Sequence, residues 1–334
     1  MKREVSIAFQ TDKTASEYRG LAGLVNRYRF DAVSVYCDAP HHPSYGPLLL
    51  MAPFLTKARI GPAAVSPFRI HPIDIAANTA LLAELTNERV YIGLARGAWL
   101  SENGIEEPAK PIQAMREAIK IIHALLSGEI VDFDGEVYHL HQVCAPYPLP
   151  DGKIQLMIGT WGKKLAMLAG EYADEVKIGG SANPAMARYL RQYIQAGADG
   201  AGRSVEDVGI VLGAVTVVDK DRELARRMAR SQVAVYLPVV LPLDPTIEVD
   251  SDLISRINSC VAAKDFASAG GLISDDLLDL FAFSGSPSDI IDQVNQAYET
   301  GVDRIEFGTP HGVNSREGIQ LLGSKVLPGL NFSN

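Results

Sequence analysis

Short apolar runs, each bounded by turn residues and most followed by a stretch long enough to cross back over a sheet, recur along this chain. They fall at residues 5–9, 32–37, 59–64, 90–94, 154–158, 175–178, 208–218 and 304–307. Between them lie helical patterns: Leu21, Leu24, Val25 and Tyr28 recur at helical spacing, as do Ile75, Thr79, Leu82 and Leu85. Strand, crossover helix and strand in repeated order mark parallel βαβ units, and eight such strands close a barrel. The alternation therefore predicts an α/β protein, a (β/α)8 TIM barrel with insertions, in one domain over 1–334. With 334 residues, 47% of them apolar, the chain can fill so large a core.

Two stretches depart from the repeat. Residues 129–141 read as a hairpin excursion, two strands flanking Asp134-Gly135, a dipeptide suited to a tight turn. Residues 237–271, with Pro238, Pro242 and Pro245 followed by an amphipathic segment, read as an insertion rather than a second domain. The third strand also has an unusual end. Pro62, Pro67 and Pro72 punctuate it, Pro67 and Pro72 cannot donate to a ladder, and pairing is expected to stop near Ala64. The small pair Ala63-Ala64 leaves room there for a flat ligand to approach the backbone.

In such a barrel the chemistry sits at the carboxyl ends of the strands. Gly159-Thr160-Trp161-Gly162-Lys163 offers backbone N–H groups at a helix start, a hydroxyl and a cation, the ingredients of a phosphate site. Arg96-Gly97-Ala98-Trp99 follows the fourth strand, and Asp38, His41 and His42 follow the second as acceptor and proton-carrying candidates. No Ser-His-Asp order, HExxH spacing or cysteine metal motif occurs, so no metal site is expected. Few acid and base groups beside several Gly-rich strand ends suggest that a bound cofactor carries the reaction. The net charge of −9 without a dense basic block argues against nucleic acid. No long uncharged apolar run, no signal-like apolar core after Met1-Lys2-Arg3-Glu4 and three scattered cysteines predict a cytoplasmic protein without a membrane span.

Several motifs together resemble the bacterial luciferase-like superfamily, in particular its deazaflavin-dependent branch around methylenetetrahydromethanopterin reductase. They are Ile60-Gly61-Pro62 through His71-Pro72, Ala83-Glu84-Leu85-Thr86 with Arg89, Gly93-Leu94-Ala95-Arg96-Gly97, and Ile158-Gly159-Thr160-Trp161-Gly162-Lys163-Lys164 with Ala173-Asp174. Arg116-Glu117, Gly128-Glu129, Asp134-Gly135 and Phe307-Gly308-Thr309-Pro310-His311-Gly312 with Leu327-Pro328 agree. The resemblance implies a homodimeric barrel holding coenzyme F420, or alternatively FMN, at the strand carboxyl ends. It implies a non-proline cis peptide at Ala63-Ala64, and cofactor contacts at Asp38, Ala63, Ala64, Val65, Ala95, Gly97, Gly159, Thr160, Trp161, Gly162 and Lys163. The reductase's strand-one Glu is matched by Ala8, its fourth-strand Asp by Ala98, and the His after its second-strand Asp by Ala39.

These readings lead to an F420-dependent oxidoreductase that moves a hydride between the deazaflavin ring and a small organic substrate. The alternatives are an FMN-dependent monooxygenase and a cofactor-binding barrel without catalysis. Asp38, His41 and His42 are the expected proton-handling residues.

Overall fold

The computed structural model describes residues 3–248 and 250–332; Met1, Lys2, Val249, Ser333 and Asn334 lie outside them. In chain order the strands are β1 (Glu4–Phe9), β2 (Ala32–Val35), β3 (Arg59–Pro62), β4 (Tyr91–Ala95), β5 (Val131–Asp134), β6 (His139–Val143), β7 (Gln155–Gly159), β8 (Glu175–Gly179), β9 (Gly209–Val218), β10 (Ala282–Gly285) and β11 (Arg304–Gly312). Eight run parallel in the order β3-β2-β1-β11-β9-β8-β7-β4. Bridges from Ile60 to Val90 and from Val65 to Leu94 join β3 to β4 and close the ring. Outward residues such as Val5, Ile7, Val33, Leu94, Ile158, Val176 and Ile305 pack beneath the surrounding helices in one continuous core.

A ninth strand, β10, is absent from the sequence reading. The strand β9 is twice as long as its neighbour β8, which pairs only with Gly209 to Gly213. Residues Val215 to Val218 are thus left with a free edge, and β10 takes it. Four residues, Ala-Phe-Ser-Gly, are too short to show a period. The closing strand also exceeds its expected end at 307: β11 continues to Gly312, with a register shift between Gly308 and His311.

The hairpin of β5 and β6 pairs Asp134 with His139, so its turn is the four residues 135–138 rather than a tight turn at Asp134-Gly135. The cause lies in another element. The carboxylate of Glu117, on the helix Pro111–Leu126, accepts hydrogen bonds from the N–H groups of Glu136, Val137 and Tyr138 at 2.8–3.0 Å and fixes the turn there, which Gly135 N–H closes by donating to the Tyr138 carbonyl at 2.9 Å. After β9 the helix Arg222–Val240 carries Pro238 within its last turns and so runs into the segment expected as an insertion from 237. Short helices Ser251–Ala262, Phe266–Gly271 and Asp275–Asp279 follow and share a second apolar cluster around Val233, Leu237, Ile257, Leu278 and Phe281. Among the described residues no helix is long and apolar enough to cross a membrane.

Candidate active site

Strands buried on both faces normally read as unbroken apolar runs. Here the inward positions break that rule in two layers. At the amino-terminal ends of the strands, the Arg59 guanidinium bridges Glu4 at 2.6 Å and Glu175 at 2.9 Å, and Arg304 donates to Glu175 at 2.6 Å and to Ser6 at 2.9 Å. One step up, the carboxylate of Glu306, with no solvent exposure, accepts from the Lys177 ammonium and the Ser34 hydroxyl, while Ser34 meets the Tyr91 hydroxyl at 2.8 Å. Burial opposes the charge on Glu306, but Lys177 and Arg304 outweigh it and hold the carboxyl below its ordinary range. The barrel floor is therefore a closed, paired ionic plug, not an apolar core.

The third layer, at the carboxyl ends, is nearly bare. Its inward positions carry Ala8, Ala63, Ala95, Gly159, Gly179 and Gly308, with Val215 and Tyr36 as the larger side chains. Ala63, Ala95, Gly159 and Gly179 are all partly exposed, so this layer opens to solvent. A Cβ on Gly179 would meet nothing nearer than the Lys177 side chain at 3.9 Å, and one on Gly159 nothing nearer than Ala95 at 3.4 Å. At Gly159 and Gly179 the bareness is thus not forced by strand packing, whereas at Gly308 a Cβ would come within 2.6 Å of the Ala214 carbonyl. The bare layer leaves a flat-floored hollow that a planar ring system fits.

The third strand's irregular end borders this hollow. The Ala63-Ala64 peptide is cis. Across it the chain changes partner: Ala63 N–H donates to the Val35 carbonyl at 2.8 Å, whereas Val65 N–H donates to the Gly93 carbonyl and the Val65 carbonyl accepts from Ala95 N–H, both at 2.9 Å. The strand β3 thus gives up β2 and leans on β4. Gly97 has φ +98°, and a Cβ there would approach Ser66, whose hydroxyl donates to the Arg96 carbonyl at 2.6 Å.

Two strands further round the rim, beyond β4, the helix Lys163–Tyr172 starts without a side-chain cap, since Gly162 has none to offer. Thr160 accepts from Gly162 N–H at 2.9 Å and holds the loop, and the Trp161 indole N–H donates to the Gly179 carbonyl at 2.9 Å, tying the loop to β8. The N–H groups of the first helical turn are the natural anchor for an anionic tail. Lys163 does not add to them directly: its ammonium lies 5.4–5.6 Å from the rings of Tyr189 and Tyr193.

The predicted proton-handling loop is only partly assembled. Asp38 accepts from the Gln10 amide at 2.9 Å, which fixes its carboxylate beside the mouth. His41 and His42 are exposed, and neither imidazole makes a hydrogen bond among the described residues. Three mouth groups escaped sequence reasoning. Tyr36, directly beyond β2, is half-buried with its ring 5.1 Å from the Lys177 ammonium. Lys177 is the second. The third, His311, is fully buried, its Nε2–H donating to the Ala8 carbonyl at 3.0 Å while Nδ1 has no partner among the described residues. Burial pulls the His311 pKa down to about 4. Charged residues alternating with apolar ones in Glu175-Val176-Lys177-Ile178 and Arg304-Ile305-Glu306-Phe307 are the signal that marks the interior face.

A closed parallel barrel with an ionic floor, a bare upper layer and an uncapped helix start at its rim is the class of protein that binds a flat, phosphate-tailed cofactor. The model of the luciferase-like monooxygenase family matches residues 10–304, and the chain belongs to that family. A 5,10-methylenetetrahydromethanopterin reductase of Archaeoglobus fulgidus is 30% identical over 97% of this chain and 98% of its own length. An F420-dependent glucose-6-phosphate dehydrogenase of Mycobacterium tuberculosis is 25% identical over 81% of this chain and 78% of its own. Among solved structures, the coenzyme F420-dependent tetrahydromethanopterin reductase of Methanopyrus kandleri superposes with a TM-score of 0.91 at 24% identity, over 99% of this chain and 100% of that one. An F420-dependent secondary alcohol dehydrogenase superposes with a TM-score of 0.80 at 18% identity, over 99% and 100%.

Proposed function

We propose that the protein is an oxidoreductase that uses coenzyme F420 to move a hydride to or from a carbonyl or imine carbon of a small organic substrate. One observation carries the reading: Ala63, Ala95, Gly159 and Gly179 at the strand carboxyl ends are open to solvent, and at the two glycines packing leaves room for a side chain that the sequence does not supply. Such a layer serves a planar ring, and the names of one relative and two of the solved structures, which specify F420, agree with a deazaflavin. When bound, that ring supplies a two-electron hydride couple. The Ala63-Ala64 segment and Val65 would back the ring, Ala95 and Gly97 would border it, and the segment 159–163 would hold its phosphate-bearing tail. Asp38, pinned by Gln10, would accept a hydrogen bond at the ring edge. Enclosure in the mouth orients the substrate and excludes water. The substrate itself is narrower than the comparisons reach, because Ala8 and Ala98 stand where the reductase branch carries carboxylates.

Phe54, Leu81 and Leu85 are each more than two-fifths exposed, and the turn Ala52–Phe54 packs against the helix Pro72–Thr86 that carries the other two. This apolar face supports assembly as a homodimer. The activity is tested anaerobically by following oxidation of reduced F420 by methylenetetrahydropterins, ketones, aldehydes and imines, and reduction of F420 by secondary alcohols. Turnover with any of these supports the reading. Consumption of oxygen with reduced FMN, and none with F420, would replace it with a monooxygenase, and binding without turnover would replace it with a non-catalytic barrel.

A further inference from the structure

The deazaflavin reading leaves the substrate's proton without a source, and the expected His41 and His42 are solvent-exposed. We propose, resting on that reading, that the Tyr36 hydroxyl is the proton donor and acceptor for the reacting heteroatom of the substrate. Three observations in the barrel mouth carry this. Among the described residues Tyr36 is the one phenol on the inward face of the bare layer: it follows inward-facing Ser34 by two residues, directly beyond the end of β2, and its hydroxyl lies so near Gly308 that a Cβ there would come within 2.7 Å. That hydroxyl makes no hydrogen bond among the described residues, whereas Ser6, Ser34, Tyr91, Lys177 and Glu306 in the layers below are all paired. The Lys177 ammonium sits 5.1 Å from the Tyr36 ring centroid and ion-pairs with Glu306 below.

The chemistry balances. As the carbonyl carbon receives a hydride and the C=O π bond opens, its oxygen takes the proton from Tyr36 and the O–H electron pair stays on the phenolate. The Lys177 ammonium, 5.1 Å from the ring centroid, offsets part of the cost of that phenolate until a solvent proton entering the open mouth restores the phenol. Alcohol oxidation runs the same steps backwards. The phenol is held protonated beforehand: burial, then the charges of Glu306 and Asp38, raise its pKa well above the ordinary tyrosine value. Glu306, Asp38, Tyr236, Tyr91 and Lys177 are the titratable groups around it.

Tyr36→Phe keeps ring and volume, so the fold and the coenzyme affinity are expected to stay as in the wild type. Three readouts decide the matter. Titration of purified coenzyme F420 by fluorescence should give the same Kd in both proteins within about twofold. Oxidation of bound reduced F420 by the carbonyl panel should slow about 100-fold or more in the variant, the usual scale of general acid catalysis. Independently of turnover, in protein labelled with 13C at the tyrosine ζ carbon, the resonance lost in Tyr36→Phe should be that of a neutral phenol from pH 6 to 10. It should shift when F420 and acetone are added together. Full turnover in Tyr36→Phe, a tyrosinate resonance within that pH range, or a resonance indifferent to F420 plus acetone would overturn the assignment while leaving the cofactor reading intact. Failure of the wild type to bind F420 would overturn both.

Discussion

His311 is the residue whose chemistry is most out of keeping with its place. Its imidazole is wholly buried and neutral, with a pKa near 4 against about 6.5 in an unfolded chain. Between those two values the unfolded chain binds the proton and the folded one does not, so stability contributed by neutral His311 is complete above pH 6.5 and is lost as pH falls towards 4. The difference is on the order of 3 kcal/mol. Urea midpoints should therefore fall between pH 6.5 and 4.5 more steeply in the wild type than in His311→Gln, which keeps a donor for the Ala8 carbonyl; parallel pH profiles would contradict this. Gly179 permits a second test at this scale. Its surroundings tolerate a side chain, so Gly179→Val should fold normally yet raise the Kd for F420 more than about tenfold by filling the mouth, as scanning calorimetry and fluorescence titration will show.

At the scale of elements, the two elements that matter most are the ionic interior of the strands and the helix that starts at Lys163. Removing one partner of a buried pair strands the other charge, so Lys177→Met should lose roughly 3–5 kcal/mol in urea denaturation. Adding Glu306→Gln should recover part of that loss, and additive losses would show that the pair is not coupled. The uncapped helix start predicts that Gly162→Val, tolerated at φ −102°, weakens F420 binding about tenfold or more by obstructing one or two charge-assisted hydrogen bonds. Unchanged affinity would move the anionic tail elsewhere. The helix is held in place from behind: a Cβ on Gly197 would lie 1.8 Å from the Met167 carbonyl, so the helices Lys163–Tyr172 and Pro184–Gly200 touch backbone to backbone. These elements also mark what the sequence made legible. Eight strands and the Gly-rich rim follow from local signals, apolar runs, prolines and small residues, while the cis Ala63-Ala64 is what the family resemblance implies. The short β10, the displaced hairpin turn and the Glu306–Lys177 pair depend on partners far along the chain. Lys177 and Glu306 are 129 positions apart, and nothing local in the sequence records their contact. Tyr36 escaped for a related reason, because a tyrosine after an apolar strand reads as core until the bare layer around it is seen.

The whole molecule is a barrel whose polarity is inverted relative to a simple core: charged and paired at its floor, bare at its mouth, with a helical cap packed on its own cluster beside β9 and β10. Light scattering should report twice the chain mass of 36.0 kDa, and Leu81→Glu with Leu85→Glu should shift it to the monomer. A monomeric wild type would remove the exposed helix face as an interface. The central claim concerns the mouth, and equilibrium binding tests it most directly. Purified protein, stripped of small molecules, is titrated with coenzyme F420 and separately with FMN under one buffer condition, with the fluorescence of each followed. The account predicts saturable one-to-one binding of F420 per chain, at least about tenfold tighter than FMN, equivalent to roughly 1.4 kcal/mol or more. Equal or tighter binding of FMN, or no saturable binding of F420, would contradict it.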